Sequence, residues 1–428
     1  WETIYEYTSE IPPFYVSGIL PDKSGLVFID SRVDKDGFGQ IMVLDLNGNI
    51  SGPVFAPRDR EIGNIYYDRN GALLGVRYIT EQVEEYEFLD QRLQSSFDAI
   101  NEMFLGSTVS LIDWSDDRSS ILYRVYADSL GHYYILHKPT TNEIEYFANL
   151  SPNIPKTEIA SIYSISYDAR DGLRIPAMLR VPRGVDLRSK PRLPAIMMPH
   201  GGPASYDSMD YDWMAQYFAN RGYVVIQPNF RGSAGFGRAF EEAGRGEWAG
   251  KMQTDLDDAV DQLGLMGLID PDRVCIVGAS YGGYAALVGA TMTPDMYQCA
   301  VSIAGVSDLD RMLKTERRDN GSRHWVVSYW EDIMAEGEAR REKLKSISPI
   351  TYASDVKIPV LLIHGDDDVV VSIKQSREME KALKRAGKSV TFVKLKKGDH
   401  WLSFDEHRIE TLRAVDAFIN EHLPAGSS

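Results

Sequence analysis

Cysteine is nearly missing from this 428-residue chain: Cys275 and Cys299 are the whole complement. Each lies in an apolar run, "RVCIVGAS" and "CAVSIAGV", which reads as a free thiol buried in a core strand. Two such residues support neither a disulfide framework nor a metal site, and they do not decide the redox compartment. Long apolar runs are missing too. No stretch approaches the ~18–20 residues of a membrane-spanning helix, so a membrane is not an expected partner. Positive charge is in deficit, with 46 Lys and Arg against 62 Asp and Glu and a net charge of −16. Nucleic acids and anionic membranes are held by clustered Lys and Arg, so this balance speaks against both and reads as solubility. There is no low-complexity tract and no signal-peptide pattern. Because the chain starts at Trp1 and not at Met, that last absence is uninformative, and cytoplasm and periplasm both stay open.

What is present is a composition for a large core, 43% apolar and 25% charged, on a chain long enough for two or more domains. The first part reads as strands and turns. "GLVFIDSRVDKDGFGQIMVLDLNGNI", "GNIYYDRNGALLGVRYI" and "STVSLIDWSDDRSSILYRVYADSLGHYYILHKPTTNEIEYF" each set apolar runs around Asn, Asp and Gly turns. The repeat of roughly 40–45 residues matches a β-propeller blade, an irregular β-sandwich being the alternative. Residues 1–157 then make about three blades, fewer than the ~4–8 of a closed ring. One stretch breaks the pattern: "EYEFLDQRLQSSFDAINEMF" has apolar residues at helical spacing and reads as a helix between blades.

"SPNIPKTEI" reads as a linker, and residues 158–428 alternate strand and helix. A hairpin around Asp171 and Gly172 leads into "LPAIMMPHGGP", "DWMAQYFANRG", "YVVIQPNFRG", "TDLDDAVDQLGLMG", "RVCIVGAS" and "YGGYAALVGAT". "CAVSIAG", "PVLLIHG" and "VTFVKL" add further strands. Such alternation predicts an α/β domain with a mostly parallel sheet covered on both faces.

The chemistry is concentrated at strand ends. "GASYG", Gly278 to Gly282, matches G-x-S-x-G between a strand and a helix. That turn is too tight for side chains at its flanks and exposes the Ser280 hydroxyl at a helix N-terminus. A serine needs a base. In α/β-hydrolases the acid and then the histidine follow the serine along the chain, and His400 in "KKGDHWLS" is the histidine in the right loop. The acid belongs in "LLIHGDDDVVV", where pattern alone does not choose among Asp366, Asp367 and Asp368. The oxyanion needs preset donors. One is the Tyr281 amide, and "PHGGP" supplies the second, Gly201 and Gly202 allowing close backbone approach. His200 reads as a brace for that loop rather than as an acid or base.

Taken in order, "HGGP", "NFRGSAGFG", "GASYGGYAAL", "HGDDDVVVSIKQS" and "GDHWLS" resemble the catalytic domain of the prolyl oligopeptidase family of serine peptidases, over about Tyr167 to Leu423. The "HGGP" form is nearest its acylaminoacyl-peptidase and dipeptidyl-peptidase-like branch. The resemblance implies an α/β-hydrolase fold with an amino-terminal all-β, propeller-like domain that restricts access to peptides. It also sets a register. The family pattern of His-Gly-x-x-Asp, a Val three residues on and then Gln-Ser puts the acid at Asp368, with Val371, Gln375 and Ser376 on the later positions. It implies that "GVSDLDRMLKTERRDNGSRHWVVSYWEDI" helps form the pocket before the scissile bond, with Trp325, Tyr329 and Trp330 as candidate walls and packing of a cap helix as the alternative reading of them. Arg317, Arg318 and Arg323 read as a solvated charged face, with binding of a substrate carboxylate or carbonyl as the alternative. The paired glutamates with which dipeptidyl peptidases hold a free amino terminus are not placed, and Glu-rich "EQVEEYEF" is left unassigned.

The expected protein is a serine peptidase of short peptides. Ser280 is the nucleophile, His400 the base, Asp368 its partner, and the Gly202 and Tyr281 amides meet the oxyanion. Neither metal nor organic cofactor is required. A carboxylesterase with the same triad is the rival enzyme, and a binding module with a relict triad is the rival of another class. Expected partners are short peptides, and a second copy of the chain or a further amino-terminal propeller part.

Overall fold

The computed structural model describes residues 2–8, 14, 16–30, 38–57, 60–79, 84–127, 131–336 and 341–426. The chain divides into two compact units. One holds Trp1–Ile159 with the short excursions Ser208–Tyr211 and Ala234–Glu241, and the other holds the rest.

Among its described residues the first unit has three open antiparallel sheets, each a meander. The first has β1 (Val16–Ile19), β2 (Gly25–Asp30), β3 (Gln40–Asp45) and β4 (Ile50–Phe55). The second has β5 (Glu61–Tyr67), β6 (Leu73–Ile79) and β7 (Glu85–Phe88). After helix α1 (Gln91–Met103), the third has β8 (Thr108–Trp114), β9 (Ile121–Ala127), β10 (Gly131–Lys138) and β11 (Glu143–Asn149). The sheets begin about 45 residues apart, so the sequence repeat is structural. The expected helix is shorter than its pattern. Tyr86 and Phe88 are buried while Glu87 is exposed, and that period of two makes "EYEF" the strand β7, paired with β6. The helix starts only where Asp90 accepts the Arg92 and Leu93 amides, and it buries Leu93, Phe97 and Ile100 on one face. Those three residues pack with Leu74, Tyr123, Val125 and Ile135 in one core cluster. The excursion Ser208–Tyr211 is tied in by a hydrogen bond from Thr108 Oγ1 to Met209 O at 3.1 Å and an Arg124–Asp210 ion pair.

The second unit opens with the hairpin β12 (Ser161–Asp168) and β13 (Arg174–Val181), then β14 (Leu193–Met197), α2 (Trp213–Asn220), β15 (Val224–Pro228) and α3 (Arg238–Glu242), most of which lies in the second excursion. It continues with α4 (Lys251–Met266), β16 (Ile269–Ala279), α5 (Tyr281–Met292), β17 (Cys299–Ile303), α6 (Leu309–Asn320), α7 (Trp325–Ala335) and α8 (Arg341–Ser346). It ends with β18 (Val360–Gly365), α9 (Lys374–Arg385), β19 (Val390–Leu395) and α10 (Asp405–His422). Its eight strands run β12-β13-β15-β14-β16-β17-β18-β19, antiparallel as far as β15 and parallel from there on. All residues of β15, β17 and β18 are buried, as helices on both faces require. The unit is an α/β-hydrolase fold.

The two cysteines correct the sequence reading. Cys275 on β16 and Cys299 on β17 are register partners with Cα atoms 4.8 Å apart, and their sulfurs are bonded. Apolar runs showed that both are buried; they did not show that the two strands are neighbours.

Candidate active site

Ser280 follows the last residue of β16, mid-sheet, and precedes the first turn of α5. Its φ is +57°, which strains a residue with a side chain by about 1–3 kcal/mol. The neighbouring glycines show why the turn must be this tight. A Cβ on Gly278 would lie 2.2 Å from Gly282 O, and one on Gly282 would lie 2.1 Å from Pro199 O. The Ser280 amide is anchored to Ile303 O at 2.9 Å, and the side chain caps nothing in its own helix. The hydroxyl is thus held out by the backbone.

The loop after β14 lies against it. A Cβ on Gly201 would be 3.4 Å from Ser280 Cβ, which fits the close approach expected of this Gly-Gly pair. Gly202 has φ +122°, and a Cβ there would meet Ala204 N at 2.8 Å. Among the described residues, neither the Gly202 nor the Tyr281 amide donates to another group of the protein. His200 braces the loop. Its Nδ1 is 2.7 Å from Gly201 O, its Nε2 is 2.9 Å from Ser233 Oγ, and its ring stacks on Phe230. Burial pushes this imidazole down to about 4, so at neutral pH it is uncharged; Gly201 O can only accept, which puts the hydrogen on Nδ1.

Asp368 and His400 lie in the loops after β18 and β19. A Cβ on Gly365 would be 2.1 Å from Gly398 O, and the Asp366 and Asp367 amides bond Leu395 O and Gly398 O at 3.0 Å. The two loops are therefore zipped together by backbone. His400 Nδ1 lies 2.7 Å from Asp368 Oδ2. Asp368 Oδ1 accepts the Val370 and Val371 amides at 2.9 and 2.8 Å. The Asp368 side chain has no solvent exposure, and that of His400 has 10%. Burial alone would raise the Asp368 carboxyl, but hydrogen bonds from His364, His400 and Val371 outweigh it and hold it well below the usual carboxylate range. Asp366 turns away, bonded to the Lys397 amide and paired with Lys394 at 3.1 Å, and Asp367 is exposed with no side-chain partner.

The structure thus joins His400 to Asp368 and lays Gly201 on Ser280. It does not hydrogen-bond Ser280 to His400: within the described residues Ser280 Oγ has no hydrogen-bond partner. Such bonds are often loose before substrate arrives. Trp325, Tyr329 and Trp330 fall on α7, with ring centroids 6.4 Å apart for Trp325–Tyr329 and 5.3 Å for Tyr329–Trp330. Trp325 is 45% exposed, whereas Val327 and Met334 on the same helix are buried. Arg317 and Arg318 are ion-paired with Glu331 and Asp319, as a charged face would be. In the Glu-rich stretch, residues 81–83 lie outside the described ones. Glu84 pairs with Arg77, Glu85 with Arg60, and Glu87 accepts from Tyr78.

Sequence reasoning missed Trp248. Its buried indole packs edge-on against Tyr281 at 4.7 Å and reaches Trp330 at 6.3 Å, so it joins the residue after Ser280 to α7. A lone Trp in "GRGEWAG" carried no signal for this. Among the described residues no group of three or more His, Cys, Asp or Glu side chains is placed to hold a metal ion.

A strained serine at the strand–helix turn of an eight-stranded, mostly parallel sheet defines the class, the α/β-hydrolases. Residues 209–426 match the model of the prolyl oligopeptidase family of peptidases, and the chain belongs to that family. It is 28% identical over 429 residues to dipeptidyl aminopeptidase BIII of Pseudoxanthomonas mexicana, an alignment covering 95% of this chain and 59% of that one. It is 26% identical over 399 residues to dipeptidyl peptidase family member 6 of Caenorhabditis elegans, covering 86% and 52%. Among solved structures, its fold is that of a puromycin-hydrolysing peptidase of Mycobacterium tuberculosis (TM-score 0.76, 21% identity, covering 95% of this chain and 61% of that one). It is also that of the acylaminoacyl peptidase of Pyrococcus horikoshii (TM-score 0.74, 20% identity, covering 97% and 64%). The chain spans between half and two thirds of the length of these relatives.

Proposed function

We propose that this chain is a serine peptidase that hydrolyses short peptides through an acyl-enzyme, with Ser280, His400 and Asp368 as its triad. The observation that carries the reading is the 2.7 Å bond between His400 Nδ1 and Asp368 Oδ2, made by two loops locked together beside the sheet end that bears the strained Ser280. Ser280 Oγ attacks the scissile carbonyl. His400 Nε2 takes its proton and then delivers it to the departing amine, while Asp368 holds the ring and stabilises the imidazolium. The carbonyl oxygen, now an anion, meets the Gly202 and Tyr281 amides, each worth about 2.7–4 kcal/mol in the transition state. Water then enters by the same route in reverse and releases the acyl half. Trp325, Tyr329 and Trp330 line the pocket for the residue before the scissile bond.

Relatives named as dipeptidyl aminopeptidase and acylamino-acid-releasing enzyme favour amide over ester substrates, and they favour cleavage near an amino terminus. Within the same reading, residues 1–157 are propeller-like blades. Three sheets fall short of the ~4–8 blades of a closed ring, so further amino-terminal blades or a second copy of the chain are the partners such a set would take. A peptide library with free and blocked amino termini, digested and read by mass spectrometry, tests the reading. Cleavage close to the amino terminus supports it, and turnover of p-nitrophenyl esters with no peptide cut anywhere rejects it for the esterase.

A further inference from the structure

The triad acid touches two histidines. Besides His400, the fully buried His364 on β18 brings its Nε2 to 3.3 Å from the same oxygen, Asp368 Oδ2. That nitrogen also lies 2.8 Å from Val371 O. A carbonyl oxygen only accepts, so Nε2 carries a hydrogen, which bonds Val371 O with the carboxylate oxygen close beside it. The other ring nitrogen, Nδ1, lies 2.7 Å from Ser376 Oγ. Ser376 is itself buried on α9. The loop closes on itself, because the Val371 amide donates to Asp368 Oδ1 at 2.8 Å. His364, Val371 and Asp368 thus form one closed ring of polar contacts at the acid, with Ser376 behind the imidazole and no solvent at the carboxylate.

We infer that His364 is a positioning residue for catalysis: a second imidazole that pins the Asp368 carboxylate so that it presents one fixed oxygen to His400. The inference rests on the triad proposed above. A carboxylate taken out of water needs its lone pairs filled. Oδ1 has two backbone donors, but Oδ2 would have His400 alone, and His400 must gain and lose a proton and tolerate substrate beside it. His364 gives Oδ2 a donor that does not move with the reaction. It also draws off part of the carboxylate's charge, which sets how strongly Asp368 stabilises the His400 imidazolium. The other groups facing the His364 ring are Val371 O and Ser376 Oγ, neither of which is charged.

The test is a set of variants of the whole chain, read as pH profiles of kcat/KM on a peptide that the parent cleaves. His364→Phe keeps the ring and removes the donor. It is expected to lower kcat/KM about 10- to 100-fold, the worth of one hydrogen bond to a charged group, through kcat rather than KM. With the charge of Asp368 left to one partner, the ascending limb is expected to move up by about one pH unit. His364→Gln, which returns an N–H near the place of Nε2, is expected to recover most of both. Because the residue acts through Asp368, adding His364→Phe to Asp368→Asn should cost less than about threefold more. A folded His364→Phe chain with parental rate and limb overturns the inference, and so does an equal loss in the Asp368→Asn background. If His364→Phe does not fold, Ser376→Ala carries the test: a fall of several fold with the same upward shift supports the role, and an unchanged profile rejects it. A parent that cuts no peptide sinks the proposed function instead, which keeps the two failures apart.

Discussion

Asp368→Asn changes one atom of the acid and should remove nearly all activity. Asn can keep its Oδ1 under the Val370 and Val371 amides, which donate to that oxygen at 2.9 and 2.8 Å. Its NH2 then replaces the oxygen that now faces His400 Nδ1 at 2.7 Å and His364 Nε2 at 3.3 Å. Donor would face donor at both. His400 escapes by moving its hydrogen to Nε2, the atom that must be bare to accept the proton of Ser280. Loss of the base in this way, with the remaining machinery intact, costs about 10⁴-fold in kcat, or roughly 5.5 kcal/mol at 1.36 kcal/mol per decade. Turning the amide over would restore the bond to His400 but leave two backbone donors against an NH2 group, so neither orientation serves. Asp367→Asn is the matched control, since that side chain is exposed and has no partner; its kcat should stay within about twofold of the parent. Steady-state cleavage of a peptide anilide measures both. Full activity in Asp368→Asn together with loss in Asp367→Asn would move the triad by one residue and refute the geometry.

Two further outcomes lie away from the triad. Asp207 keeps its Oδ2 out of solvent and without a partner, and desolvation first, then Asp212, push its carboxyl up to about 8. The folded chain therefore keeps a proton that the unfolded chain releases near pH 4, so this residue erodes stability as pH rises from about 4 to about 8. Asp207→Asn should raise the midpoint of urea unfolding at pH 8 relative to pH 5; an equal effect at both would contradict the buried, protonated acid. Cys275 and Cys299 should give no reactive thiol in denaturant without reductant and two after reduction. Two free thiols in the unreduced, denatured protein would restore the reading from apolar runs.

Much of the site was readable because its chemistry is local in sequence. Gly278 is glycine for a reason that acts over four residues, the approach of Gly282, and a turn of that kind can be recognised without a structure. The choice of Asp368 over its neighbours rested on register, and the structure supplies the physical content of that register. Of the residues that mark the pattern, His364 and Val371 contact the carboxylate, Ser376 backs the His364 ring, and Gln375 holds the backbone amides of Ser307 and Asp308 through its side-chain oxygen at 3.0 and 2.8 Å. What could not be read depends on which strands become neighbours. Order along the chain does not say that β16 and β17 pair in register, so the sulfur–sulfur bond was invisible. Trp248 was missed likewise, because its ring partners Tyr281, Tyr284 and Trp330 lie 33 or more residues away in the chain. The boundary between β7 and α1 was blurred because Tyr86, Leu93, Phe97 and Ile100 stand seven, four and three residues apart, as on one helix face, and only the Asp90 cap separates strand from helix.

The central claim is that Ser280 is a nucleophile served by His400. Labelling with a fluorophosphonate probe, followed by digestion and mass spectrometry of the peptide that spans residues 274–290, addresses it directly. The parent should carry one adduct, on Ser280, and lose peptide cleavage in step with its formation. The His400→Ala chain should label slowly, and Ser280→Ala should neither label nor cleave. An adduct on another serine, or a Ser280→Ala chain that still cleaves peptides at the parental rate, would contradict the account.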